Sequence, residues 1–200
     1  MSLIQRMRHK VMHLHTEEQK KGILKAWKTP HPTLYLQYLA ESRAVHIELQ
    51  RAAFKYPQVH QFDYVSPLDR DLIRISDTFQ LPIPPVVPHG PGRAYATLIR
   101  AKADQPPALM SHWYLIHFAH AAGGTIFGER IAQELLDGWV PEFYRPQLIG
   151  DVPDQIRAQL ECEALKWNEK EQDDFLSETE PGFHLVHWLT ESMFTSVNVE

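Results

Sequence analysis

Apolar side chains recur every three or four residues along much of the chain, a spacing that places them on one face of a helix. In the first segment Ile4, Met7, Val11 and Leu14 form such a stripe. The same pattern predicts helices at about 33–55, 68–79, 93–103, 108–136 and 154–175, with one more after Pro181. No segment alternates apolar and polar residues with the period of two that a strand would show. The sequence therefore predicts an all-α fold with little or no sheet.

Proline and glycine interrupt these helices at definite places. The segment LPIPPVVPHGPG, residues 81–92, holds five prolines and two glycines in twelve residues, which a helix interior does not tolerate. We expect an irregular connection there and a loop at 139–153. Neither a repeat nor a low-complexity tract is visible, and 200 residues with 44% hydrophobic content suit one domain spanning 1–200.

Composition narrows the class of protein. The formal net charge of -5 and the pI near 6.2 argue against nucleic acid or an anionic membrane as the main partner. The chain has no apolar run of the roughly 18 residues that a membrane span needs. Its N-terminal segment lacks the apolar run of a signal peptide. The single cysteine, Cys162, is expected to be a buried filler and fits a reducing compartment. We therefore expect a cytoplasmic protein.

One histidine of the first helix faces the same way as its apolar stripe. On a wheel of about 100° per residue, His15 falls within about 40° of the stripe, whereas His9 and His13 are expected to face water. Arg8 lies two turns before His15 on the same face and would place a positive charge beside a ligand held by the imidazole. Two interpretations of His15 remain open at this point: a metal or ligand contact, or a hydrogen-bonded core histidine.

Two adjacent glycines interrupt the long apolar segment. Gly123 and Gly124 lie in a stretch that is helical on both sides, although each glycine inside a helix costs roughly 1 kcal/mol relative to alanine. Removing the side chains lets the backbone approach a flat ligand closely and lets the helix bend. Ala119, Ala121 and Ala122 extend this face of small residues. Close packing against another helix explains the pair equally well.

Several segments resemble the heme oxygenase family, and they occur in the family's order. Leu14-His15-Thr16 is similar to the motif of the proximal helix, and SHWYLIHFAHAAGG, residues 111–124, to that of the distal helix. Weaker similarity occurs at Val45-His46-Ile47-Glu48, Ile131-Ala132-Gln133 and Leu136-Asp137. The resemblance extends to about position 138, and beyond it only the helical character matches.

The resemblance implies a heme oxygenase-like fold with a kinked distal helix. It makes His15 the proximal ligand of heme iron, pairs Arg8 and Tyr114 with the heme propionates, and places Gly123 and Gly124 over the heme face. A further propionate partner should come from a late helix, for which the candidates are Arg157, Lys166 and Lys170. The implied reaction opens heme, which is both cofactor and substrate, to biliverdin, CO and iron. It uses O₂ and electrons from a reductase or a ferredoxin-type donor.

Three positions depart from the family pattern. Gln19 stands where the family often has Glu, so the hydrogen bond that orients the proximal imidazole would be neutral. Ala119 replaces a glycine and narrows the distal space. His120 occupies the place of the aspartate that organises distal water. It could support catalysis by relaying protons, or it could reach the iron itself.

These departures leave other functions open. A heme-binding sensor or carrier without ring-opening activity could hold iron through His15 and His120 together. A non-heme iron oxygenase on the same fold could use the plentiful histidines and carboxylates, which include Glu41, His117, His120, Glu180, His184 and His187. A thiaminase-like hydrolase would need Cys162 as its nucleophile, and the neighbouring Glu161 and Glu163 would oppose formation of its thiolate.

Overall fold

The computed structural model describes residues 1–14, 31–56, 62–148 and 152–193, and within these ranges the chain is helical with no strand. The α-helices are α1 (Leu3–Val11), α2 (Pro32–Ala53), α3 (Val65–Phe79), α4 (Pro91–Lys102), α5 (Pro106–Leu135), α6 (Val152–Ala164) and α7 (Glu169–Glu191). Two 3₁₀-helices, η1 (Met12–Leu14) and η2 (Glu142–Leu148), follow α1 and α5. The predicted all-α class is confirmed, and none of the described helices is long and apolar enough to cross a membrane.

Helix α1 begins with a capping box, in which the Ser2 side chain accepts from the backbone N–H of Gln5 and the Gln5 side chain accepts in return. Ile4, Met7 and Val11 are buried as the stripe predicts. The α-helix ends earlier than the stripe, because residues 12–14 form η1, and Leu14 is only partly buried. The predicted ligand His15, and Gln19 after it, lie outside the described residues.

A buried carboxylate joins α2 to the start of α4. Glu41 is fully buried and accepts hydrogen bonds of 2.7 Å from the backbone N–H groups of both Val87 and Gly92. A Cβ at Gly92 would lie 2.5 Å from the Glu41 carbonyl oxygen, so only glycine permits this approach. The predicted irregular connection is therefore confirmed through Gly90, while Pro91 and Gly92 already form the first turn of α4.

The last third of the chain differs from its prediction. The sequence predicted one helix at 154–175 and another after Pro181. Instead α6 ends at Ala164 and α7 runs without a break through Pro181. Helix α7 begins with a capping box formed by Asn168 and Glu171. This capping box marks the end of the short connection that follows α6. Pro181 removes one backbone donor but does not end the helix.

Helix α7 lies very close to α5 next to that proline. A Cβ at Gly182 would lie 2.6 Å from Leu115 Cδ1 and 2.9 Å from His112 Nδ1, so the two helices meet through the missing side chain. Packing at this distance holds α7 against α5 on both sides of Pro181. Tertiary contact thus outweighs the local cost of the proline.

Two smaller predictions are also corrected. The segment 139–153, expected to be a loop, contains η2 and the start of α6 at Val152. Cys162, expected to be buried, is exposed. Its neighbours Glu163 and Ala164 occupy the buried face of α6, which turns the thiol toward solvent.

Candidate functional site

One face of α5 is left open by the described residues. Ala119 is exposed, Ile126 is 63% exposed, and a Cβ built at Gly123 would meet no atom within 4 Å. These positions follow the i, i+4, i+7 spacing of one helix face. Because a helix without side chains lets another group approach its backbone, this face offers a flat surface for a planar ligand. We call it the open face of α5, defined by Ala119, Gly123 and Ile126.

The second glycine of the pair faces protein. A Cβ at Gly124 would lie 3.2 Å from Tyr144 Cδ1, and one at Gly128 would lie 2.7 Å from Tyr144 Cβ. The absence of side chains at Gly124 and Gly128 thus allows η2 to pack closely against α5. Of the two interpretations of the glycine pair, close packing applies to Gly124, whereas no described residue packs against Gly123 and its ligand contact stays a prediction. The helix is continuous from Pro106 to Leu135, and its kink stays a prediction.

Basic and aromatic groups from α1, α5 and α6 lie close together around Tyr114. Burial raises the pKa of the Tyr114 phenol, while the charge of Arg157, a hydrogen bond from it and the charge of Arg8 act in the opposite direction. The Arg157 guanidinium carbon lies 4.7 Å from the centroid of the Phe118 ring, which stacks on Tyr114 at 5.0 Å. Arg8 is exposed and pairs with no carboxylate in the described ranges. We call Arg8, Tyr114 and Arg157 the basic edge.

Of Arg157, Lys166 and Lys170, the three candidates for a propionate contact near the end of the chain, only Arg157 belongs to the basic edge. Lys166 pairs with Glu163 at 2.6 Å, and Lys170 pairs with Asp174 at 2.9 Å. Arg157 also has an acidic neighbour, Asp154, but its side chain is 44% exposed and lies beside Tyr114. Two guanidinium groups and a phenol can bind carboxylates through charge-assisted hydrogen bonds. Of the three, Arg157 is the residue that α6 brings to the predicted site.

His120 points toward η2. Its Nε2 lies 2.7 Å from the Phe143 carbonyl oxygen, and its ring stacks on that of Phe143 with centroids 4.0 Å apart. A carbonyl only accepts, so Nε2 carries the proton and Nδ1 is the free acceptor of the neutral ring. Burial lowers the pKa of His120 to about 3, although the Phe143 carbonyl raises it. The imidazole is therefore uncharged at neutral pH.

Two more histidines accompany His120 in the core. The rings of His46 and His117 are 5.8 Å apart, and those of His46 and His120 are 6.5 Å apart. The Nδ1 atom of His117 lies 2.8 Å from the Trp113 carbonyl oxygen, and burial lowers the pKa of His117 to about 4. Burial, followed by the nearby His117 and His120, lowers the pKa of His46 well below its usual value. We call His46, His117 and His120 the histidine cluster; no sequence spacing indicated it, because α2 and α5 meet only in the fold.

A cavity of about 120 Å³ lies beside this cluster. Its walls include His46, His120 and Gly124, together with Ser42 from α2 and Thr190 from α7. The space is large enough for several water molecules or one small ligand. The imidazole of His120 thus faces a cavity on one side and the η2 backbone on the other.

Asp71 on α3 fixes the backbone that His120 contacts. Its side chain is fully buried, with Oδ1 accepting from the Glu142 N–H at 2.9 Å and Oδ2 from the Phe143 N–H at 2.8 Å. Burial raises the pKa of Asp71 to about 6, and the two backbone hydrogen bonds partly offset this. The sequence alone does not single out Asp71, since nothing in its local pattern links it to a segment 71 residues later.

The structure does not assemble the groups predicted for a non-heme iron centre. Glu41 binds backbone N–H groups, whereas Glu180 and His184 form a loose 4.0 Å pair on the surface of α7, and His187 faces Glu191. No group of three or more metal-binding side chains occurs in the described ranges. As a second iron ligand His120 could use only Nδ1, because its Nε2 is bonded to the Phe143 carbonyl.

No protein-family model matches the chain, but several known proteins are similar to it over most of its length. Heme oxygenase 1, chloroplastic, of Arabidopsis thaliana is 29% identical over 200 residues, covering 90% of this chain and 70% of that protein. Heme oxygenase 1, chloroplastic, of Oryza sativa subsp. japonica is 29% identical over 210 residues, covering 96% and 71%. A protein of Arabidopsis thaliana named Probable inactive heme oxygenase 2, chloroplastic, is 28% identical over 168 residues, covering 78% and 54%.

A solved structure has the same fold. The crystal structure of heme oxygenase-1 from the cyanobacterium Synechocystis, in complex with heme, superposes with a TM-score of 0.77. The two chains are 16% identical, and the superposition covers 96% of this chain and 92% of that one. The resemblance noted on the motifs of the proximal and distal helices thus extends over nearly the whole chain. The chain is thus similar to heme oxygenases over most of its length and shares their fold.

Proposed function

We propose that this protein is a heme oxygenase, which binds heme against the open face of α5 and opens it to biliverdin, CO and iron. The observation that carries the proposal is the basic edge, where Arg8, Tyr114 and Arg157 come together from three helices. The two guanidinium groups match in number and charge the two propionates of heme. The backbone at Gly123, against which no described residue packs, lies on the same helix as Tyr114 and suits the flat ring.

The residues at hand fit heme as a ligand. Arg8 and Arg157 would bind the propionates, with the Tyr114 phenol as a further donor, and this would fix the rotation of the ring in its site. The open face would exclude water from one side of the ring. His15 as the proximal ligand remains a prediction, since it lies outside the described residues. Bound heme supplies the iron that activates O₂ and is itself the substrate that is opened.

The part proposed for His120 is to order polar groups beside the ring. Because Nε2 donates to Phe143, only Nδ1 can accept a hydrogen bond from water in the adjoining cavity. A neutral imidazole held in one orientation can pass a proton through such water without becoming a fixed charge.

We further propose that the electrons come from a separate reductase or ferredoxin-type protein, and that the protein works in a reducing compartment such as the cytoplasm.

The test is a titration of the purified protein with hemin, followed by addition of a reductant under air. The proposal predicts a saturable Soret band, then its loss together with appearance of bilin absorption and release of CO. His15→Ala should weaken or abolish the Soret band. Loss of the Soret band without a bilin would contradict the catalytic proposal.

The same experiment decides the alternative, a heme-binding protein without ring opening, which has in its favour the relative whose name marks it as probably inactive. A low-spin, six-coordinate ferric spectrum that His120→Ala converts to high-spin would establish the second axial imidazole. A spectrum that His120→Ala leaves unchanged would count against this alternative.

A further inference from the structure

The backbone of η2 is held by a single buried side chain at its start. Asp71 accepts the N–H groups of Glu142 and Phe143, one on each carboxylate oxygen. These are the first two N–H groups of η2, which have no partner within a short 3₁₀-helix. A buried carboxylate that binds two successive donors fixes both the position and the direction of this backbone.

The residue so fixed is the one that orients His120. The Phe143 N–H binds Asp71, and the Phe143 carbonyl accepts from Nε2 of His120 at 2.7 Å. The Phe143 ring also stacks on the imidazole. A displacement of Phe143 would therefore change the hydrogen bond and the ring contact of His120 together.

We propose that Asp71, through the backbone of Phe143, is a positioning residue that holds His120 in the tautomer with the proton on Nε2 and with Nδ1 free. The proposal rests on the proposed function only in what His120 does for the reaction; the positioning is a property of the protein without heme. Histidine orientation set by a hydrogen bond to the other ring nitrogen is a general device. Here the control comes from α3, a helix whose described side chains take no part in the open face or the basic edge.

The substitution that tests this is Asp71→Asn. The amide oxygen of the asparagine can still accept from one of the two backbone N–H groups. Its NH₂ group would face the other N–H, and two donors cannot bond to each other. The start of η2 must therefore move or lose a hydrogen bond. The matched control is Glu41→Gln, which makes the same change on a buried carboxylate that also binds two backbone N–H groups. Glu41 contacts α4 and the segment before it, so its loss should affect stability without reaching His120.

The first readout is the set of ¹⁵N chemical shifts of the histidine rings in the protein without heme. In the parent protein the two ring ¹⁵N chemical shifts of His120 should be those of a neutral imidazole protonated on Nε2. Asp71→Asn should shift these signals toward the average of the two tautomers, and Glu41→Gln should leave them unchanged. Unchanged His120 signals in a folded Asp71→Asn protein would overturn the proposal.

A second readout needs no substitution. The groups that face Asp71 are Glu142 and Arg145 on η2 and Tyr35 on α2. With the pKa of Asp71 raised to about 6, the His120 signals of the parent protein should change with a midpoint near pH 6. That midpoint is well above the pKa of His120 itself, about 3. His120 signals that stay constant from pH 7.5 to 5 would contradict control by Asp71, even if Asp71→Asn fails to fold.

Activity then separates the two proposals. Where the protein forms bilin, Asp71→Asn should lower the rate of ring opening by about 10-fold, at the low end of what loss of an orienting partner costs. The affinity for hemin should change little, since Asp71 is remote from the basic edge. A protein that forms no bilin, but whose His120 signals respond to Asp71→Asn, would refute the proposed function and leave the positioning role intact.

Discussion

Acidification from pH 7 toward pH 4 should destabilise the protein, because burial disfavours protonation of the histidine cluster in the folded state. Burial lowers the pKa of His117 to about 4, that of His120 to about 3, and that of His46 well below 6.5. In the unfolded chain an imidazole titrates near pH 6.5. A folded state that binds fewer protons than the unfolded state loses stability as the pH falls.

The size of the effect near pH 5 follows from counting protons. At that pH His117 and His120 together bind about two more protons in the unfolded chain than in the folded protein, and His46 acts in the same direction. Asp71 acts in the opposite direction, since its folded pKa of about 6 lies above the ordinary 3.8 and the folded state binds about one proton more. The net difference of about one proton, before any contribution from His46, makes the free energy of unfolding fall by about 1.4 kcal/mol for each pH unit of acidification.

The assay is urea unfolding followed by far-UV circular dichroism at several pH values between 4.5 and 7.5. His117→Phe keeps a ring among its aromatic neighbours, such as Phe62 and Tyr64 at 5.6 and 5.2 Å. It should reduce the slope by about 1.4 kcal/mol per pH unit, the share of one proton. His184→Phe makes the same change on a side chain that is 57% exposed, and should keep the parent's slope. A His117→Phe protein with the parent's slope would refute the idea that burial holds this ring uncharged.

Other substitutions test the close contacts and the basic edge. Gly123→Ala should raise helix stability by up to about 1 kcal/mol in thermal unfolding yet weaken hemin binding, whereas equal hemin affinity would place the ring elsewhere. Gly128→Ala brings a Cβ to 2.7 Å from Tyr144 Cβ and should cost about 1–3 kcal/mol in urea unfolding. Gly182→Ala brings a Cβ to 2.6 Å from a side chain of α5 and should lower the melting temperature similarly; an unchanged value would show that the helices separate easily. Arg157→Gln should weaken hemin binding about 10-fold, as expected for a charge-assisted hydrogen bond, and an unchanged affinity would remove it from the site.

The sequence predicted the helices well wherever proline and the apolar pattern agreed. Helices α2, α3 and α5 begin and end within three residues of their predicted bounds. The division between α6 and α7 was wrong because Pro181 was taken as the boundary, although the capping box of Asn168 and Glu171 was there to be found. The proline is tolerated because of packing between distant segments, which no local rule reports.

In the candidate site, too, the local sequence pattern predicted individual residues but not the contacts between segments that are far apart in the chain. The interrupted helical pattern pointed to the glycine pair, the two-turn spacing from His15 pointed to Arg8, and the family resemblance singled out His120. It did not separate Gly123 from Gly124, since their surroundings depend on where η2 returns to α5. Asp71 was missed for the same reason, because its two hydrogen bonds join segments that only the fold brings together.

Cys162 is the single cysteine of the sequence and its thiol is exposed, so thiol-selective reagents can label the protein at one position. It follows Arg157 by five residues on α6, a rise of about 7.5 Å along the helix axis. A fluorescent maleimide attached there would lie within energy-transfer range of a porphyrin at the basic edge, which absorbs strongly in the visible. Quenching of such a dye would report the arrival and the consumption of the substrate in real time, without any substitution in the protein.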